Sequence, residues 1–473
     1  MPTIHFETLG CKLNQIETES LAHAFSGAGF TVDLEHTVSG ESVTPLDDQS
    51  SPDSPLHPLY LPVGIQNHDN PILCVVNTCT VTGKAEQKAR RLIRLLLRKF
   101  PAAPVLVTGC YAEVEGETIS AMDPRIVVFP GSRKDEIASI PASLSVEGDR
   151  PDPARILAIL RARAGLPIQA ATHDPFRLST DEFVAHSRAS IKIQDGCDNH
   201  CAYCKIRLAR GPSVSIDPDE AVRRVREIER SGWREVVLAG VNLSQYRSSG
   251  GNFAHLLGRI IGETDSIAIR ISSLYPERVN EEILPILASP RVRPHFHLSV
   301  QSGSDRILRS MRRPYGADTV YRAAELLRSV KDDPFLACDI ITGFPGETDE
   351  DFEQTFRMCK DIGFAGIHAF PFSARPGTEA WSMRPKVPER IAGERVTALT
   401  EHARGNFKDY AARWTGKTIE AIVEESTDSD ELTVLTANYL SLRISTANLT
   451  EIPPRGSSIL IRPISAEMGE IVL

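Results

Sequence analysis

The chain has 473 residues, too many for one ordinary hydrophobic core, so two or three domains are expected. Its 41% hydrophobic and 24% charged residues describe a soluble globular protein, and no run of about 18 apolar residues suggests a membrane span. The formal net charge of −9 counts against a generally basic nucleic-acid binder.

The opening MPTIHFETLG lacks the layout of a secretory signal, so the cytoplasm is the expected compartment. Disulfides are rare there, and clustered cysteines point instead to metal or catalysis. TIHFETL (3–9) reads as a strand and IETESLAHAFSGAGF (16–30) as a helix ending near Gly27 or Gly29. PILCVVN (71–77), GKAEQKARRLIRLLLRKF (83–100) and APVLVTG (103–109) continue as strand, helix and strand. This alternation predicts an α/β fold, a Rossmann-like parallel sheet flanked by helices. Residues 39–70, rich in Ser, Pro and Asp, read as a largely disordered insertion within an N-terminal domain of residues 1–140. The helix carries Lys88, Arg90, Arg91, Arg94, Arg98 and Lys99 around an apolar stripe of Leu92, Ile93, Leu95, Leu96 and Leu97. Its basic residues are either a solvated face or a phosphate-binding one.

Residues 141–188 read as a linker with one short helix, DPARILAILRARAG (152–165). From 189 the alternation resumes with SIKIQD, REVVLAG, IAIRISS, HFHLSV, FLACDII and FAGIHAF, separated by helical patterns. Six parallel strands with crossover helices predict a partial (β/α)6 barrel over 189–414, with its chemistry at the C-terminal strand ends. Residues 415–473 read as a small β-barrel. From 417 onward that module has nine acidic and four basic residues.

Cys197, Cys201 and Cys204 follow the first barrel strand with C-x3-C-x2-C spacing. A closed zinc site takes four ligands, usually as two separated pairs, though His200 or His186 could complete one here. A four-iron cube takes four thiolates, so three leave one iron open for a substrate. Cys11, Cys79 and Cys110 each follow a predicted strand of the first sheet. In a parallel sheet neighbouring C-terminal strand ends lie side by side, so these three are expected to converge on a second site. Cys74, Cys338 and Cys359 fall inside apolar elements and read as packing residues.

The C-x3-C-x2-C loop after a first barrel strand resembles the radical S-adenosylmethionine (AdoMet) superfamily. The words TLGCKLNQIETE, NTCTVTGKAEQKARR, TGCYAE and IKIQDGCDNHCAYC together resemble its methylthiotransferase family, over nearly the whole chain. TLGCKLN and NTCTVT most resemble the branch acting on threonylcarbamoyladenosine at tRNA position 37; other branches act on isopentenyladenosine or on a ribosomal-protein aspartate. The resemblance implies an N-terminal domain with a second 4Fe–4S cluster, a radical-AdoMet domain and a C-terminal TRAM-like β-barrel. It implies that Cys197, Cys201 and Cys204 hold the cluster that binds AdoMet, and that Cys11, Cys79 and Cys110 hold the auxiliary cluster carrying the sulfur. One AdoMet would methylate that sulfur, and a second would yield the radical that takes hydrogen from adenine carbon 2. It implies the tRNA anticodon loop, an electron donor such as flavodoxin or ferredoxin, and a sulfur source as partners.

By the same resemblance Gly240, Gln301 and Gly343 lie near AdoMet and Tyr203 stacks on its adenine, although the glycines also read as post-strand turns and Tyr203 as packing. The helix at 88–99 and Arg309, Arg312 and Arg313 are candidates for phosphate contact. Three features depart from the family. KIRLARGPSVS (205–215) keeps Arg210 and Gly211 but lacks the usual Pro, Trp and later arginines. The insertion at 39–70 is the second. The third is the acidic C-terminal module, which suits a basic protein substrate better than RNA. An iron–sulfur RNA-binding protein without catalysis is the remaining class, which six intact cysteines oppose.

Overall fold

The computed structural model describes residues 1–37, 70–144, 152–166, 174–183, 186–426, 431–447, 449 and 451–472. The insertion expected at 39–70 lies outside the described residues except for Asn70.

The first sheet has five strands where three were expected. They are β1 (Thr3–Leu9), β2 (Thr31–Thr37), β3 (Leu73–Thr78), β4 (Val105–Gly109) and β5 (Ile126–Val128). All are parallel, in the order β2-β1-β3-β4-β5. β2 and β5 are the edges. The half-polar TVDLEHT of β2 and the three residues of β5 carry too weak a pattern to stand out in the sequence. Ile4, Phe6, Val75 and Leu106 pack on one face with Leu21 and Phe25 of helix Lys12–Gly27. Cys74, Val76, Val105 and Val107 pack on the other with Ala89, Ile93 and Leu96 of helix Gly83–Lys99. The expected stripe on that second helix is corrected: Leu95 is exposed and Ala85 and Ala89 take its place, because 85, 89, 93 and 96 share one helical face.

Within the stretch expected as a linker, 141–188, helix Pro153–Ala164 puts Ile156 and Leu160 fully into the first core.

The central domain carries β6 (Ala189–Asp195), β7 (Val214–Ser215), β8 (Glu235–Gly240), β9 (Arg247–Ser248), β10 (Gly251–Asn252), β11 (Ala268–Ile271), β12 (His295–Gln301), β13 (Phe335–Thr342) and β14 (Gly366–Pro371). β6, β8 and β11 are parallel neighbours, as are β12, β13 and β14. Two parallel bridges, Ile269 to Val292 and Leu274 to Leu298, join the two sheets into one partial barrel. β7 pairs antiparallel with β6, and β9 with β10.

The C-terminal strands β15 (Ile419–Ser426), β16 (Glu431–Thr436), β17 (Ser441–Ser445), β18 (Ser458–Pro463) and β19 (Met468–Ile471) close into a five-stranded barrel. Helix Glu389–Trp414 runs from the partial barrel into this module: Leu399 packs in the first, Phe407 and Tyr410 in the second. The small barrel sits against the N-terminal strand ends of the partial barrel. His295, which opens β12, stacks on Tyr439 at 3.8 Å, and Arg293 reaches Glu420 at 2.6 Å. Arg188 pairs with Glu424 at 3.1 Å.

A buried ion cluster seals this contact. Glu235, at the start of β8, accepts from Arg270 Nε at 2.6 Å and Arg293 Nε at 2.8 Å. Burial opposes ionisation of Glu235 but is outweighed by Arg270, Arg293 and Arg188, which bring its pKa down to about 2. The carboxylate therefore adds stability above about pH 4.5, lost as pH falls toward 2. Glu235→Gln leaves the buried Arg270 without its anion, while Arg293 and Arg188 keep only Glu420 and Glu424. It is expected to cost about 3–5 kcal/mol, read as a lowered Tm at neutral pH. An unchanged Tm would mean that the cluster does not hold the two modules together.

Candidate active site

Each cysteine set is built by glycine. β6 ends at Asp195, and Gly196 follows with φ +67°. A Cβ on Gly196 would lie 1.9 Å from the Pro212 carbonyl oxygen, so only glycine turns the chain into the cysteine loop here. The loop is tied down at both sides: Ala202 N–H donates to the Met311 carbonyl at 3.1 Å, and Ala380 N–H to the Ala202 carbonyl at 2.8 Å. Cys197 is buried, and Cys201 and Cys204 are half-buried. The Asn242 amide lies 4.0 Å from the Cys197 sulfur, and Arg313 Nη1 lies 3.5 Å from that of Cys201.

In the N-terminal domain Cys11, Cys79 and Cys110 sit directly beyond the C-terminal ends of β1, β3 and β4, which are adjacent in the sheet. Gly10 has φ +111°, and a Cβ there would meet the Cys79 sulfur at 2.9 Å. Glycine at this position lets Cys79 approach the end of β1. The Asn14 amide donates to the Leu9 carbonyl at 2.8 Å and the Thr78 carbonyl at 3.0 Å, tying the two strand ends together. Burial, then the neighbouring Cys11 and Cys110, push the Cys79 thiol up to about 12. Cys11, Cys110 and Cys197 each follow a glycine of positive φ, whereas Cys79 follows Thr78.

All nine cysteines are free. Zinc with bonds of about 2.3 Å would hold its sulfurs about 3.8 Å apart. Among the described residues the one group of three or more such donors within 4.8 Å of each other is His5, Glu7 and Glu35, on β1 and β2. Each cysteine set offers three free thiols, the number that leaves one iron of a four-iron cube open. Of the two histidines considered for a zinc site, His186 pairs with Glu19 at 2.7 Å and His200 is exposed.

The two sets are brought together across a domain interface. Leu13 and Ile16 of helix Lys12–Gly27 pack on Ala239 of β8. Arg375, buried after β14, grips the Cys79 loop through the Thr80 hydroxyl at 2.9 Å and Glu86. Arg210 spans the interface. Its Nη1 meets both Asp195 oxygens at 2.9 Å and Glu17 at 3.2 Å, its Nη2 meets Asn14 at 2.7 Å, and its Nε points at the Cys110 sulfur at 3.2 Å. Lys134 and Lys192 complete the cluster on Glu17, and Lys192 also meets Asp195 at 2.9 Å. Burial opposes ionisation of Glu17, but Arg210, Lys134 and Lys192 hold its pKa well below the usual range. Three cations face two carboxylates, so one positive charge is left over beside Cys110, which suits a thiolate ligand.

The remaining expected residues lie at the same mouth, with different settings. Gly240 ends β8, and a Cβ there would strike Leu243 at 2.6 Å. Gly343, with φ +73°, follows β13 and abuts Ala392, so helix Glu389–Trp414 needs that glycine as a close packing point. Gln301 ends β12 at φ +72°, a conformation unusual for a side chain of its size. Tyr203 is set edge-on to Phe344 at 6.5 Å.

Arg313 is corrected: it is buried, stacked over Tyr275 at 4.4 Å, and bonded to Tyr315 at 2.9 Å, so it faces the cysteine loop and not a phosphate surface. Sequence reading missed a polar group inside the barrel. His297 Nε2 lies 2.9 Å from Asp339, and the His368 ring is 5.1 Å from that of His297. Burial, then His297, bring the His368 pKa down to about 4, so it is neutral at pH 7. The signal was present as polar residues at alternate positions of otherwise apolar strands.

A partial barrel with this cysteine loop defines a radical-AdoMet enzyme, and residues 191–359 match the radical SAM superfamily. With that match come AdoMet and a 4Fe–4S cluster as cofactors. Residues 64–131 match the uncharacterized protein family UPF0004. Threonylcarbamoyladenosine tRNA methylthiotransferase MtaB of Treponema pallidum is 47% identical, over 94% of this chain and 95% of its own. The MtaB protein of Thermotoga maritima is 34% identical, over 90% and 87%. The tRNA-2-methylthio-N(6)-dimethylallyladenosine synthase of Endomicrobium trichonymphae is 27% identical, over 89% and 88%. The chain belongs to the radical-AdoMet methylthiotransferase family. Among the described residues no helix is long and apolar enough to cross a membrane.

Proposed function

We propose that the protein inserts a methylthio group at carbon 2 of N6-threonylcarbamoyladenosine at position 37 of tRNA, in the cytoplasm. The facing of two three-cysteine sets across one interface, spanned by Arg210, carries this reading. Cys197, Cys201 and Cys204 would hold the AdoMet-binding cluster, and Cys11, Cys79 and Cys110 the auxiliary one. When bound, the two clusters and AdoMet supply one-electron chemistry and a methylated sulfur. The aromatic C–H bond at carbon 2 is not acidic enough for a side-chain base near neutral pH, so the site needs that supply. The chain itself orients and encloses the reactants. The N-terminal domain packs at the barrel mouth through Leu13 and Ile16 on Ala239, while Gly240, Gln301, Gly343 and Tyr203 would border the AdoMet side. His297 and Asp339 face the substrate from within the barrel. A loop base such as position 37 can be extruded into such a mouth, whereas a stacked base in a duplex cannot be reached. An electron donor of the flavodoxin or ferredoxin type and a sulfur source complete the partners. The domains would run over 1–140, 189–414 and 415–473, with helix Pro153–Ala164 and Leu178 of the intervening stretch packed on the first.

The acidic C-terminal module favoured a ribosomal-protein substrate. The module's place takes away from that fit: Glu420 and Glu424 turn to Arg293 and Arg188, at the barrel end opposite the cysteines.

Nucleoside mass spectrometry tests the reading, in a host that lacks its own threonylcarbamoyladenosine methylthiotransferase. Expression should add a methylthio form of that nucleoside, absent without the chain. A folded, cluster-loaded protein that adds none would overturn the substrate.

A further inference from the structure

The exposed basic face of helix Gly83–Lys99 stands apart from every other cationic surface of the protein. The helix carries seven basic residues and one acid in a chain of net charge −9. That one acid, Glu86, is taken by Arg375 at the barrel mouth. Ala85, Ala89, Ile93 and Leu96 are buried against the sheet. Lys84, Lys88, Arg91, Arg94 and Arg98 are exposed on the opposite side. Their spacing keeps them on one face along about 21 Å of helix. Among the described residues none of the five is recorded in an ion pair.

Elsewhere the surface arginines are mostly neutralised. Arg223 and Arg259 pair with Glu220 and Glu263, Arg413 with Asp333, and Arg443 with Glu431 and Glu467. The rival basic surface is a cleft of about 550 Å³ lined by Arg306, Arg309, Arg312 and Arg384. There Arg306 is paired with Asp351 and Arg312 with Glu379, while Arg309 bonds the Asp305 carbonyl. Five like charges left unpaired on one ridge repel each other, and an anion of matching length relieves that repulsion.

The ridge also starts at the site. The N–H of Gly83 donates to Ser373 Oγ at 2.9 Å, and Thr82 caps the helix three residues beyond Cys79. Anything lying along the ridge leads to the mouth where the two cysteine sets face each other. The small C-terminal barrel is acidic and lies at the other end of the partial barrel.

We infer that this helix is the track for the sugar–phosphate backbone of the RNA substrate, and that the C-terminal barrel is not the principal RNA grip. The inference rests on the tRNA reading given above. Lys84 and Lys88 meet phosphates closest to the anticodon loop, while Arg94 and Arg98 meet those farther along the stem.

The test is fluorescence anisotropy of labelled, purified tRNA carrying threonylcarbamoyladenosine, titrated with the cluster-loaded full chain at several salt concentrations. The triple variant Lys88→Gln, Arg91→Gln, Arg94→Gln should bind roughly ten- to a hundredfold more weakly near 0.1 M salt, with a log–log salt slope shallower by about 2–3. These side chains leave the helix's buried face intact, and an unchanged Tm verifies the fold. The double variant Arg443→Gln, Arg462→Gln on the C-terminal barrel should bind as wild type. Wild-type affinity and slope in the triple variant would overturn the inference and leave the substrate reading standing. Loss of binding confined to the C-terminal variant would overturn it too. Wild-type protein that binds no tRNA at all would overturn both.

Discussion

Alanine at Cys197 and alanine at Cys79 are expected to fail in different ways. Cys197→Ala should reduce 5′-deoxyadenosine formation from AdoMet to background, because the loop after β6 then offers two thiols in place of three. Cys79→Ala should keep that formation while methylthiolated product falls to zero. The difference follows from layout: Cys197 and Cys79 sit on separate domains, and Gly196 and Gly10 shape their loops independently. Alanine is close to cysteine in volume, so neither variant should disturb the strands. Iron per chain should fall by about half in each case, a readout independent of turnover. Product from Cys79→Ala protein would dismiss Cys11, Cys79 and Cys110 as an auxiliary site. Loss of all iron in Cys79→Ala would mean instead that the sets are not separate.

Arg210→Leu is expected to uncouple the two halves of the site. Asp195 loses its contacts to Nη1, Asn14 its donor, and Cys110 its neighbouring cation, while Lys192 and Lys134 still neutralise Glu17. The fold should survive with a loss of about 2–4 kcal/mol, less than for a bare buried charge because those lysines remain. Methylthio transfer should fall on the order of a hundredfold, since small misplacements of reacting groups are costly, with 5′-deoxyadenosine formation retained. Arg210→Lys should restore the charge and a contact to Asp195 but cannot also reach Asn14 and Cys110, and so should recover only part of the coupling. Equal loss of both activities in Arg210→Leu would make this residue a support for the Cys204 loop, not a bridge. Full methylthio transfer would remove it from the site altogether.

Much of this was legible beforehand, and the boundary of legibility has causes. β1, β3 and β4 and the six barrel strands are apolar runs bounded by turns, and such runs declare themselves. β2 is half-polar, β5 is three residues long, and helix Pro153–Ala164 fully buries just Ile156 and Leu160, so each looks local until its neighbours are known. Arg313 looked like one more surface arginine beside Arg309 and Arg312. Three residues of backbone turn put it under Tyr275, which no composition or spacing announces.

The sequence by itself set six cysteines apart, three in C-x3-C-x2-C spacing and three at predicted strand ends that a parallel sheet brings side by side. It also determined the amphipathic helix at 83–99, since 3.6-residue periodicity separates the faces before any packing occurs. Only the tertiary structure decided what those features meet. Arg210 and Cys110 are a hundred residues apart and touch because two domains dock. Glu420 and Glu424 look like solvent-facing acids until the C-terminal barrel sets them against Arg293 and Arg188. The physical reason is common to both cases: local pattern sets backbone and face, while the pairing of buried charges depends on surfaces that exist only after the domains have folded.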